Sequence, residues 1–275
     1  MADQWYETIY ENKHDTVNEF IRRKQVTGRS ERTLNAYSRI LKKFYHEEFP
    51  ELQPENTEVH HIEDYVLRLD QRDLSQNTKR RYLESLSAFF SYAMKRPRFQ
   101  KITGNPAAVV LEEIPKQIRD RPDCATWENG KKIIHNIPDP RNKTVAIILA
   151  KTGARLTEAL EIQTDDLMLK EGFIRLRKRK GGKQTVVPID PETRKAIQRF
   201  KFTRKTPPTN SNDDYLFIST RGERVSKTSV QRAVKNAAEK AEIMEPGEER
   251  FHKKFTPHTY RTVFTTLMRN QGMPD

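Results

Sequence analysis

The chain has 275 residues, 51 of them Lys or Arg against 38 Asp or Glu, for a net charge of +13. Its length suits two domains, and at 35% hydrophobic and 32% charged it can bury real cores beneath a polar surface. No apolar run reaches the roughly 20 residues of a membrane helix, the acidic start MADQWYETIYENKHD is no signal or transit peptide, and one cysteine, Cys124, excludes a disulfide scaffold or thiolate zinc site and fits a reducing cytoplasm.

The first hundred or so residues read as helices only. The first is expected over Val17 to Lys24, with Gly28 near its end. A second follows Ser30 as N-cap, carries Leu34, Tyr37, Leu41 and Phe44 on one face, and stops at Pro50. A third spans Val59 to Leu69, with Ile62, Tyr65, Val66 and Leu69 at helical spacing. The fourth follows Ser75, carries Tyr82, Leu86, Phe89, Ala93 and Met94, and ends before Pro97. The second and fourth echo each other: Ser30, Thr33, Tyr37, Leu41 and Phe44 correspond to Ser75, Thr78, Tyr82, Leu86 and Phe89. Two copies are too few for a solenoid and suggest two helical hairpins around one small core. Arg32 and Arg39, and Lys79 with Arg80, are then expected near helix starts or outer faces, where phosphates are met. An ordinary solvated helix surface is the alternative for each taken singly.

A break follows. Asn105-Pro106 and the stretch from Glu112 to Pro122 replace periodicity with proline and charge, as a linker does. Beyond it, helices are expected near Trp127–Ile137 and Asn142–Thr152, the latter closed by Gly153, with a short one from Leu156 to Ile162. FIRLR (173–177) alternates as a half-buried strand and QTVVPI forms a second; KRKGGK between them is a hairpin tip turning at Gly181-Gly182. Asp190-Pro191 opens another helix, 203–214 is a loop, and YLFIS is expected as a third strand. Ser226 caps a helix to about Ile243, and Thr256-Pro257 starts one that ends at Gly272.

The charge is unevenly spread. Up to Val110 there are 18 basic and 16 acidic residues, a net of +2; from Leu111 onward there are 33 and 22, a net of +11. Such an excess attracts phosphate backbones without reading sequence, although a merely soluble basic protein has it too. Common catalytic signatures are absent. GGKQT lacks the first glycine of a phosphate-binding loop and has Gln184 in place of its Ser/Thr. His60-His61 has no carboxylate-rich partner site, so no metal site is expected.

Four basic residues are placed differently. Arg155 follows the helix-closing Gly153 and enters a new helix, close to backbone N–H groups that favour an anion. His258 and Arg261, spaced i, i+3, share a face in the first turn of the Thr256 helix. Lys180 sits on the hairpin tip, from where it can reach into a groove. Two guanidiniums, one imidazole and one ammonium make a poor metal site and a good phosphoryl clamp.

In this order the stretches resemble the tyrosine recombinases, the family of phage integrases and Xer-type recombinases. TGARLTEALEIQTDDL resembles the family's first box, TG-x-R-x-x-E, with Arg155 as its arginine. KGGKQTVVPI is similar to the family's β-hairpin, with Lys180 at its lysine, and TPHTYRTVFTTLMRNQG resembles the HxxR box, giving His258 and Arg261. The helical first half resembles the core-binding domain. The resemblance implies an α+β, mainly helical fold, with an N-terminal helical core-binding (SAM-like) domain over 1–107. A linker over 108–122 and a mixed α/β catalytic domain with a small antiparallel sheet over 123–275 complete it.

It also implies a C-shaped clamp around duplex DNA. In the family a tyrosine attacks the scissile phosphate and forms a 3′-phosphotyrosyl link, with no metal, ATP or other cofactor. Arg155 and Arg261 would neutralise the non-bridging oxygens, Lys180 would protonate the departing 5′-oxygen, and His258 would assist proton transfer. Arg177, Arg179 and Lys183 beside the hairpin tip join Arg32, Arg39, Lys79 and Arg80 as expected DNA contacts. The implied partners are a specific double-stranded site and, on DNA, three further copies in a homotetramer. One departure stands out. The family's nucleophilic tyrosine follows the HxxR helix, whereas no tyrosine follows Arg261 here. Tyr260 is turned away from the His258–Arg261 face by helical periodicity, and Tyr215 falls in an expected strand. The expectation is a chain truncated before its nucleophile, binding DNA without cleaving it. Alternatives are a non-catalytic DNA-binding relative of an integrase and, less close in its first half, a type IB topoisomerase.

Overall fold

The structure, a computed structural model of the chain, describes residues 12–117, 121–177, 184–204, 214–248 and 250–273. Its contacts divide into two compact units, Met1–Arg119 and Asp120–Asp275. Among the described residues no helix is long and apolar enough to cross a membrane.

The described part of the first unit is helical: α1 (Asp15–Val26), α2 (Glu31–Lys42), α3 (Val59–Asp70), α4 (Gln76–Ala93) and α5 (Pro106–Glu113). The repeated Ser-x-x-Thr works identically in two places, since Ser30 with Thr33 and Ser75 with Thr78 pair their hydroxyls at 2.9 Å at the starts of α2 and α4. Past Lys42 the helix widens into a π-helical turn, Lys43–Glu48, that buries Phe44, Tyr45 and Glu48. An aromatic core results, with Phe20, Phe44, Tyr45, Tyr65 and Phe89 all fully buried. Edge-to-face geometry favours such clusters beyond their area; Phe44 meets Tyr65 at 5.0 Å and Phe20 meets Phe89 at 5.7 Å.

The stretch expected as linker from residue 108 begins differently. Pro106–Glu113 is helix α5, with Asn105 accepting from the Ala108 N–H at 3.0 Å and Val110 only 4% exposed in the first unit's core. An Asn-Pro pair opens a helix as readily as a loop, and eight residues are too few to display a period.

The second unit contains α6 (Trp127–Asn136), α7 (Pro140–Thr152), α8 (Leu156–Leu160), α9 (Pro191–Thr203), α10 (Lys227–Lys240) and α11 (Pro257–Asn270). Strands β1 (Leu167–Met168), β2 (Phe173–Leu176) and β3 (Thr185–Pro188) form an antiparallel sheet in the order β1-β2-β3. Ile174 pairs with Val187 and Leu176 with Thr185, and the buried Ile174 and Leu176 point into the core while Phe173 stays 39% exposed. The sheet is three-stranded as expected, but its third member is β1. Among the described residues the YLFIS segment makes single bridges, Gln163 with Tyr215 and Ile218 with Arg224. Leu216, Phe217 and Ile218 are consecutively buried, so this extended run lacks the alternation of a sheet face.

Candidate active site

Three backbone decisions build the site. Gly153 ends α7 with φ +62, and a Cβ there would sit 2.4 Å from the Phe264 ring of α11. Only glycine tolerates both that conformation and that approach. Arg155 then turns into α8 as its N-cap residue. Its backbone N–H donates to Glu158 Oε2 at 2.9 Å, and its Nη1 donates to Glu158 Oε1 at 2.7 Å. Glu158 is 1% exposed while the Arg155 side chain is 39% exposed, so the buried carboxylate holds a guanidinium whose outer edge faces solvent.

Helix α11 supplies the third decision. Thr256 and Thr259 satisfy its first turn: the Thr256 N–H donates to Thr259 Oγ1 at 2.9 Å, with Thr259 buried. His258 is exposed in that turn. One turn on, Arg261 Nη1 donates to the Gly153 carbonyl at 2.5 Å across 108 residues of sequence. The Gly153 segment therefore gathers Arg155 and Arg261 from the first and last boxes, with His258 on the Arg261 face. Two cationic forks, one of them carried on this 14-residue helix, favour an oxyanion such as a phosphate.

Tyr260 does other work. It is fully buried against Phe255, its hydroxyl faces the Gly130 carbonyl at 3.4 Å, and a Cβ on Gly130 would crowd its ring at 3.3 Å. Burial pushes its hydroxyl well above the ordinary phenol range. Tyr215 is half-buried with the Arg224 guanidinium 5.7 Å from its ring centre.

The remaining basic residues divide. Arg32 and Arg39 are exposed on α2. Lys79 and Arg80 are not on an outer face. The Lys79 side chain is 7% exposed and ion-paired to Asp70, and Arg80 donates to the Leu111 carbonyl at 3.1 Å and to that of Ile114. Both lie near the start of α4, one of the two places expected for them, but chain from α3 and α5 covers them. Arg177 ends the described stem of the hairpin, its Nε bonded at 2.7 Å to the fully buried Asp166. Lys180, Arg179 and Lys183 lie outside the described residues. His60 and His61 stack at 3.8 Å, and among the described residues no group of three metal-ligating side chains occurs. Sequence reading gave no role to Glu158, Asp166 or Phe264. A Glu three residues into a helix is a capping-box signal and marked the first; nothing local marks the others.

Comparison with known proteins agrees with this architecture. The sequence pattern of the phage integrase family matches residues 126–275, and that of the phage integrase N-terminal SAM-like domain matches 17–98. Among curated relatives, tyrosine recombinase XerC of Thermodesulfovibrio yellowstonii is 29% identical, covering 89% of this chain and 79% of the relative. Tyrosine recombinase XerA of Pyrococcus horikoshii is 26% identical over 94% and 81%. Among solved structures, the Tn1549 transposon integrase in complex with a circular intermediate DNA gives a TM-score of 0.74 at 19% identity, covering 93% of this chain and 86% of that one. A lambda integrase dimer bound to a COC′ core site gives 0.74 at 17%, covering 96% and 92%. The chain belongs to the phage integrase family, the tyrosine recombinases.

Proposed function

We propose that this protein acts in site-specific DNA recombination, gripping a duplex with both units and seating the scissile phosphate between Arg155 and Arg261. The observation that carries this reading is the bond from Arg261 to the Gly153 carbonyl, two residues before an Arg155 oriented by buried Glu158, with His258 on the same helix face as Arg261. The donors are fixed before substrate arrives, by Glu158 and by a backbone carbonyl, so little reorganisation is needed as charge develops on the phosphoryl oxygens. Lys180 protonates the departing 5′-oxygen, and His258 assists proton transfer at the nucleophile. The exposed Arg32 and Arg39, with Arg179 and Lys183, hold neighbouring phosphates. Recombining two duplexes requires four such sites, so on DNA the full-length form works as a homotetramer; the cytoplasm is its proposed place of action.

The nucleophile of this chemistry is a tyrosine, and neither Tyr260 nor Tyr215 fills that role. In-line attack needs an oxygen placed at the phosphorus, and the Tyr260 hydroxyl is buried and directed at Gly130. These 275 residues therefore bind DNA without forming a covalent link. Incubation with a nicked suicide duplex tests this: a mobility shift without a denaturation-resistant protein–DNA adduct is expected, and an adduct overturns the non-cleaving reading. Absence of any shift overturns DNA binding itself.

A further inference from the structure

The first unit holds on to chain that leaves it. Arg80 on α4 donates from Nη1 to the Leu111 carbonyl at 3.1 Å and to the Ile114 carbonyl, while Asn77 Nδ2 donates to the Gln117 carbonyl at 2.8 Å. Leu111 lies in the last turn of α5, where carbonyls have no intrahelical donor and a cation is favoured. Ile114 is extended (ψ 107), as a residue before proline prefers, so the chain leaves α5 along α4. Four residues past the helix end, at Gln117, it is still held. In the second unit the Asp123 N–H donates to the His252 carbonyl at 2.9 Å, which fixes Asp123 to that unit. The Arg80 side chain is only 21% exposed, which leaves little of its guanidinium for a phosphate.

We propose that Arg80 and Asn77 form a clasp that holds outgoing chain on the first unit as far as Gln117 and so caps the reach from there to the second unit at Asp123. Arg80 is then a positioning residue for DNA engagement and not a phosphate contact. The proposal rests on the DNA-binding reading above. Closed, the clasp leaves six peptide steps from Gln117 to Asp123, a reach of about 20 Å; opened back to Glu113 it leaves ten, about 35 Å. A shorter tether keeps the second unit at higher effective concentration once the first has bound, an advantage that falls off with roughly the −3/2 power of length. Opening the clasp should weaken binding about twofold without removing any DNA contact.

The test compares the full chain with Arg80→Ala and Asn77→Ala, and with Arg81→Ala as an exposed control on the same helix. Affinity for a mixed-sequence duplex long enough for both units is measured across a salt series, and trypsin cleavage after Lys116 is followed without DNA. The expected result is severalfold faster cleavage at Lys116 in Arg80→Ala, a smaller acceleration in Asn77→Ala, none in Arg81→Ala, and weaker binding with an unchanged salt slope. A slope lower by about one for Arg80→Ala identifies a phosphate contact and overturns the proposal. Unchanged Lys116 cleavage in both clasp variants also overturns it. A wild-type chain that fails to bind the duplex overturns the DNA reading instead, and the proteolysis still decides the clasp.

Discussion

Two pairs of basic residues, one pair in each unit, are used in opposite ways. In the first, the Lys79 side chain is 7% exposed against Asp70, and Arg80, 21% exposed, caps outgoing chain. In the second, Arg155 is also held by a buried carboxylate, yet its side chain remains 39% exposed beside an Arg261 fixed to a backbone carbonyl. A guanidinium satisfied on every side is a structural element. One held by a buried carboxylate with part of its side chain exposed, as Arg155 is, is an oriented donor for an anion. Net charge, +2 against +11, anticipated which unit holds the oriented pair, but it did not separate the two uses residue by residue.

The comparison breaks most easily at Gly153. Gly153→Ala forces a side chain into the left-handed region and against Phe264, and should cost about 3 kcal/mol. A thermal melt of the second unit measures this, and an unshifted midpoint would mean that α7 and α11 are not locked there. Glu158→Gln keeps the shape but removes the charge that orients Arg155, at about 2 kcal/mol from weakened charge-assisted hydrogen bonds. Chemical denaturation reports the loss, and DNA affinity should fall with it.

A sharper contrast comes from salt. Arg155→Ala should lower the slope of log affinity against log salt by about one, whereas Lys79→Ala should leave it unchanged. Equal slopes in both variants would erase the distinction drawn between the units.

The smallest effect is one of pH and belongs to the first unit. Burial, then the charges of Lys13 and His46, hold the His14 imidazole below its usual range, with Glu55 and Gln53 opposing. Burial, then Lys13 and Lys42, do the same to His46, with Glu47 opposing; its Nε2 accepts the Lys13 N–H at 3.2 Å, which requires the neutral ring. With folded values below the unfolded one near 6.5, the folded state binds fewer protons in acid. The stabilisation is present above about pH 6.5 and is lost as pH falls through the folded values. Urea midpoints measured from pH 7 down to 5 should therefore decline for the first unit, and less so in His46→Gln. A flat profile in the wild-type chain would refute this.

Much of the molecule was legible without coordinates. Caps, prolines and helical periodicity act within four residues of sequence, so Ser30, Ser75, Asp190, Ser226 and Thr256 marked their helix starts, and the order of the boxes carried the family. Gly153, read as a helix end, is one. What stayed illegible was long-range. The YLFIS run reads as a sheet strand by composition, yet the sheet is completed by β1, and the run makes isolated bridges to Gln163 and Arg224. Pro106–Glu113 was too short to show its period.

Sequence alone determined that the chain has a helical first part and a mixed second part, and that Arg155, His258 and Arg261 stand at helix starts. Tertiary structure alone decided which cations are already taken. Arg80 meets Leu111 across 31 residues and Arg261 meets Gly153 across 108, and no local pattern encodes such pairings. Hydrogen-bond satisfaction is decided where the folded chain comes back upon itself, and that return is a property of packing.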